Sequence, residues 1–235
     1  VRIPLQPMDV AALAFFALCW LFYEPLLKAL GKRRGGGLIN TDLTVIRTAW
    51  MRNMVGRENR FMDGQLLGQA LNSSSFFASS NLILIAAIAS AMFGGERTFR
   101  SASSLVVIQT SSRLLFEAQL SLVLITLARG LLDLIWAIRQ MNYTIAAIGA
   151  VPVRVEDEKR HVFGDIVARL LNPALSSFNA GVRAYYFALA AAAWLFGPLA
   201  FIAATAGAVS LLVWRQRRSP AAGAIADLRR LLADT

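Results

Sequence analysis

The chain has 235 residues, 57% of them hydrophobic and 16% charged, with a mean hydropathy of +0.54. Its net charge is +10, carried mainly by arginine, since lysine stands only at 28, 32 and 159. One cysteine, Cys19, and one histidine, His161, exclude an internal disulfide and a haem, zinc or iron–sulfur site built from this chain alone, so neither metal nor cofactor is expected. Cys19 lies in an apolar stretch and reads as a small packing residue. His161 follows the charged run 156–160 and reads as solvated.

Nearly uncharged stretches at 9–23, 71–95, 118–138 and 184–214 are separated by Arg-rich connectors. A bilayer core takes about 20 apolar residues per helical span. The pattern predicts an all-α, polytopic membrane helix bundle, with about four transmembrane helices plus interfacial amphipathic helices. A single integral membrane domain, 1–235, uses up the chain. Charges that flank apolar spans face anionic lipid headgroups, so the lipid bilayer is the expected partner and nucleic acid is not.

In chain order, Asp9 is placed to cap a first helix over 9–28 that runs through Phe15 and Trp20, with Gly31 ending it and Gly35–Gly37 forming a turn. Lys28, Lys32, Arg33 and Arg34 follow without a small-residue cleavage pattern, which predicts a retained helix and not a cleaved signal. Val1 fits an alternative bacterial start codon read literally, and the expected location is a bacterial inner (cytoplasmic) membrane. Over 41–56, Leu43, Ile46, Trp50 and Met54 recur at helical spacing with Arg47 and Arg52 off the stripe. Such a helix suits the bilayer surface or the bundle's own cytoplasmic end. Span two covers 71–94, where Ser73, Ser79 and Ser80 allow close helix approach. A connector at 96–112 leads to a helix over 113–149, with its span at 116–141 and an end projecting beyond the bilayer.

Pro152 breaks that helix, 162–171 reads as an interfacial helix, and Asn172–Pro173 marks a turn. The last stretch, 184–214, carries Gly197–Pro198 near its middle and reads as one kinked span or a re-entrant pair. Within it Ala200, Ala203, Ala204, Gly207 and Ala208 give small-xxx-small spacing for intrachain packing or an oligomer seam. A basic tail, 215–235, closes the chain as a surface helix. Eight Lys/Arg in the first connector place it in the cytoplasm and the N-terminus outside. Four simple spans then leave the basic tail outside, unless a re-entrant last segment returns it.

The third span is where polar groups enter hydrocarbon. Gln119, Thr126, Arg129, Asp133, Gln140 and Tyr143 recur at three, four or seven residues and share one helix face. A stripe of this kind faces protein or water, and serves either to fix helix register or to line a path. Glu24 and Glu117 are further candidates near helix ends. Arg183, Tyr185 and Tyr186 form an interfacial belt or a headgroup site. No GxSxG, P-loop or HExxH pattern and no dinucleotide fingerprint is present. The leading expectation is a non-enzymatic membrane protein that self-associates as a homo-oligomer or joins a larger membrane complex. The alternatives are a small channel or transporter along the third span, and a lipid-modifying enzyme acting through Glu24, Glu117 or Asp133.

Three segments carry a family resemblance: Asn72-Ser-Ser-Ser-Phe-Phe77-Ala78-Ser79, then Trp136-Ala-Ile-Arg139-Gln140-Met-Asn142-Tyr143 followed by Gly149 and Pro152, and finally Gly181-Val-Arg183-Ala-Tyr185-Tyr186-Phe187. In order and spacing they resemble an uncharacterised family catalogued as domain of unknown function 599, predicted four-helix membrane proteins of bacteria and plants. The resemblance covers about Thr41 to Trp214. It implies a fold and a location, and no activity.

Overall fold

A computed structural model describes residues 5–33, 39–105, 108–110 and 112–233, and every regular element among them is helical. The order is α1 (Pro7–Arg33), α2 (Ile39–Val55), α3 (Phe61–Phe93), α4 (Gly95–Ser103), α5 (Arg113–Ala150), α6 (Asp157–Ala192), α7 (Pro198–Arg218) and α8 (Pro220–Ala233). Four stretches are long and apolar enough to cross a membrane: Pro7–Pro25, Phe61–Phe93, Arg113–Ala150 and Pro198–Leu232. The chain is an all-α bundle of a membrane protein.

Local chemistry sets the helix ends, and several differ from the sequence reading. Pro7 opens α1, where its missing N–H costs nothing. Asp9 is therefore not the cap: it sits in the first turn, and its Oδ2 accepts the Gln6 N–H at 3.1 Å, the reach-back of a capping box. The helix passes Pro25 and Gly31 and ends at Arg33; Gly35–Gly37 lie outside the described residues. Asn59 Oδ1 accepts the Phe61 N–H at 2.9 Å and starts α3 ten residues before the apolar run. Helix α5 matches the predicted 113–149 to one residue.

The segment 162–171 is not a separate helix, and Pro173 makes no turn: both lie inside the 36-residue α6. A proline within a helix loses one backbone hydrogen bond and costs about 3 kcal/mol. Leu171 and Ala174 beside it are fully buried, and their packing offsets that cost. The stretch 184–214 is likewise not one helix. It divides between α6 and α7 across a 3-10 turn, Ala193–Phe196, and Gly197 at φ 101°. The left-handed backbone there needs glycine, and Pro198 is suited to open the next helix.

By contacts the chain forms two compact units. The first comprises Val1–Ala29, Ser79–Leu131 and Gly181–Val213. The C-terminal part of α6 runs through its core: Ala184, Phe187, Ala188, Ala190, Ala191 and Trp194 are all buried. It lies antiparallel to α1. Phe16 meets the Phe187 ring at 5.9 Å and Phe201 at 5.1 Å, and Phe201 stacks on Trp194 at 5.4 Å. Small residues let helices close up here, since a Cβ on Gly130 would stand 2.5 Å from that of Ala184.

The second unit comprises Leu30–Ala78, Leu132–Ala180 and Trp214–Thr235. Met51, Met54, Leu67, Met141 and Leu171 are central to its core. A Cβ on Gly164 would stand 2.5 Å from the Arg52 Cα, so α2 and α6 touch backbone to backbone there. Helix α8 packs on α2, and Arg229 Nη1 bonds the buried Asp42 at 2.9 Å.

Candidate functional site

Each unit holds a buried aspartate bonded to an indole. In the second unit this is Asp63, in the first turn of α3 and fully buried. Its Oδ1 accepts from Trp50 Nε1 at 2.6 Å and also from the Arg57 guanidinium. Arg60 bonds the carbonyls of Val55, Val151 and Pro152, so one side chain closes the carboxyl ends of both α2 and α5. Those carbonyls lack partners within their helices and carry the negative end of the helix dipole, which a guanidinium satisfies on both counts.

Of the residues expected at the interface on α2, Trp50 is thus tied to Asp63. Arg52 pairs with Asp165 in two bonds of 2.6 and 3.0 Å. That bond raises the arginine pKa and lowers the aspartate's. Arg47 is half-buried, and among the described residues no carboxylate pairs with it. Burial pushes its pKa down to about 10.

In the first unit, Asp9 is 4% exposed. Its Oδ1 accepts from Trp194 Nε1 at 2.8 Å, and Gln6 N–H serves the other oxygen. Gln119, the first residue of the predicted polar stripe, is buried beside them. It donates to the Trp194 carbonyl at 3.0 Å, and its Oε1 accepts from Thr110 Oγ1 at 3.0 Å. A cleft of about 360 Å³ opens here, with Gln6, Asp9, Gln109 and Thr110 as polar walls and Ile108, Leu115 and Pro198 as apolar ones. The Gln109 N–H donates to Leu195 O at 2.9 Å, which holds this wall against the 3-10 turn.

The rest of the stripe takes several environments. Thr126 is buried and bonds back to Leu122 O at 2.7 Å. Arg129 is exposed and Asp133 half-buried. Gln140 is half-buried, and exposed Tyr143 accepts from Arg139 Nη2 at 3.2 Å. Arg183 pairs with Glu24 at 2.8 Å and lies 5.2 Å over the Tyr23 ring, while Tyr185 and Tyr186 are half-buried. Glu117 pairs with Arg113 at 2.7 Å.

Among the small residues, Ala204 and Ala208 pack on the first unit's core, Ala200 and Ser80 are half-buried, and Ser73, Ser79, Ala203 and Gly207 are exposed. Sequence reading counted Arg57 and Arg60 only as connector charge and missed Asp63 and Trp194. Asp63 did carry a signal, as an acidic residue in the first turn of a helix. Trp194 carried none, because its value depends on Asp9 lying 185 residues away.

Among the described residues no group of three or more His, Cys, Asp or Glu could hold a metal. Among the described residues the site's side chains cross-link helix to helix. Neither a curated protein nor a solved structure matches the chain. A family profile does, over residues 11–221, and the chain belongs to that family, described as "Protein of unknown function, DUF599".

Proposed function

We propose that this is a non-enzymatic protein of a bacterial inner membrane that self-associates through the outer face of α5. One observation carries the reading. Leu132, Ile135, Trp136, Arg139, Asn142 and Tyr143 are exposed along the C-terminal half of α5, while Leu134, Ala137, Met141 and Thr144 on its other side are buried. At 38 residues α5 is about 57 Å long, well beyond a hydrocarbon core of about 30 Å. Leu132, Ile135 and Trp136 form an apolar patch that continues into Arg139, Asn142 and Tyr143 on the same exposed face. Tryptophan, tyrosine and arginine together are the composition of an interface centre. The occupant that supplies a matching mixed face is a second copy of this chain.

A polar path inside one chain draws less support, because Gln119 and Thr126 are spent on protein carbonyls while Arg129 and Tyr143 lie on the surface. An enzyme draws less still, since Glu24 and Glu117 each hold an arginine.

The same reading gives five membrane crossings. The C-terminal part of α6 is alanine-rich and enclosed by its neighbours, so it needs less hydropathy than a lipid-facing helix. A fifth crossing returns the basic tail to the side of α2, in keeping with the Arg229–Asp42 pair. Of the 24 basic residues, 17 fall in the second unit, which supports a cytoplasmic place for α2 and α8. Anionic headgroups are the partner that suits Arg47.

Native mass spectrometry of the gently solubilised chain tests self-association. A closed oligomer that Trp136→Ala/Tyr143→Ala converts to monomer supports it. A monomer, or a single copy held in a heterologous complex, overturns it in favour of an accessory subunit.

A further inference from the structure

We propose that the cleft beside Asp9 binds a primary alkylammonium group, with the Asp9 carboxylate as its counter-ion. The argument starts from charge. Asp9 is 4% exposed, yet both its donors, Trp194 Nε1 and the Gln6 N–H, are neutral. Among the described residues no lysine or arginine pairs with it, and the first turn of α1 offers only partial positive charge. Each of the other buried aspartates, Asp42 and Asp63, has an arginine. A carboxylate offers about four acceptor positions, and Asp9 has two in use.

The cleft supplies what a cation would need. Its polar walls are Gln6, Gln109 and Thr110, all neutral and all carrying acceptor oxygens, and among the described residues none of the lining is basic. The Thr110 hydroxyl gives its proton to Gln119, which turns its lone pairs outward as acceptors. A carboxylate plus carbonyl-type acceptors matches an ammonium with several N–H donors, and a quaternary ammonium forfeits those bonds. Ile108, Leu115 and Pro198 leave an apolar wall for the attached carbon chain. At about 360 Å³ the space admits a small headgroup and not a large cofactor.

Two sources present this chemistry: the ethanolamine headgroup of a lipid, and a free primary amine. The full chain is placed in nanodiscs of phosphatidylcholine and phosphatidylglycerol. One arm adds phosphatidylethanolamine and counts the lipid retained by native mass spectrometry. The other titrates ethanolamine into discs lacking that lipid and follows indole fluorescence. Saturable binding in either arm, weakened about tenfold by Asp9→Asn, supports the proposal, and the arm that responds identifies the source. Asparagine keeps an acceptor for the Trp194 indole, so the variant retains that bond. Gln109→Leu, on the exposed wall, is the second variant and weakens binding without touching Asp9. Binding that neither variant alters, or no saturation in either arm, overturns the proposal. So does choline binding as tightly as ethanolamine.

Discussion

The two buried aspartate–tryptophan pairs differ in one partner. Asp63 shares its oxygen between Trp50 and Arg57, while Asp9 has Trp194 and a backbone amide. A guanidinium offsets the charge of the first, and the bond is part of how α2 is fastened to α3. Neutral donors near the first turn of α1 position the second, among the described residues no basic side chain pairs with it, and a cleft opens alongside. The lesson is that burial and hydrogen bonding alone do not separate a structural carboxylate from a receptive one. The presence of a counter-ion does.

Removing Asp63 should have the largest effect. Asp63→Ala strips a half-buried indole and a guanidinium of their acceptor and costs about 3 kcal/mol, read as a lower denaturant midpoint in detergent. Asp9→Asn keeps the indole bond and costs about 1 kcal/mol or less in the same measurement. If the two costs are equal, the contrast between the sites fails.

The comparison can also be sharpened by converting one site toward the other. Arg57→Met leaves Asp63 with its indole alone and costs about 2 kcal/mol. Adding Asp63→Asn to that variant should restore part of the loss, a coupling that a double-mutant cycle measures directly.

A smaller effect is expected at Arg47. Its folded-state pKa is lowered to about 10 by burial, so its charged form costs stability at neutral pH, and the cost is relieved as pH rises through that value. Arg47→Leu should therefore stabilise the protein by about 1 kcal/mol in zwitterionic detergent, or about 2–4 °C in Tm. The gain should shrink in anionic lipid.

The smallest effect belongs to Arg52 and Asp165, whose side chains are 51% and 41% exposed. Asp165 has a lowered pKa, so its contribution is complete above the ordinary aspartate range and is lost as pH falls through the folded value. Solvent screening limits it to about 0.2–1 kcal/mol, visible as a shallower acid dependence in Asp165→Asn.

How much of this was legible in the sequence depends on distance along the chain. Helix α5 was readable because 38 residues repeat one periodicity, and the family resemblance rested on runs of neighbours. The continuous α6 was not, since Pro173 normally signals a turn and the packing at Leu171 and Ala174 that overrides it is tertiary. The break at Gly197 was marked by Gly-Pro, but its geometry needs the bond from Gln109 to Leu195. Gln119 was readable as a polar residue within an apolar helix, and its partners were not. Asp9 was readable as helix-start chemistry, which half of its bonding confirms; the other half comes from Trp194 at the far end of the chain.

The stitching of α2 also has a timetable. Arg52 meets Asp165 across 113 residues of sequence, and Asp42 meets Arg229 across 187. Arg60 finds the Val151 carbonyl 91 residues downstream. At a synthesis rate of about 5–20 residues per second, Asp42 waits about 10–40 s for its arginine. Early in that interval α2 is already made, while Met141 and Leu171, which pack with its buried methionines, are still to come. The earliest connector is thus among the last parts of the molecule to be completed.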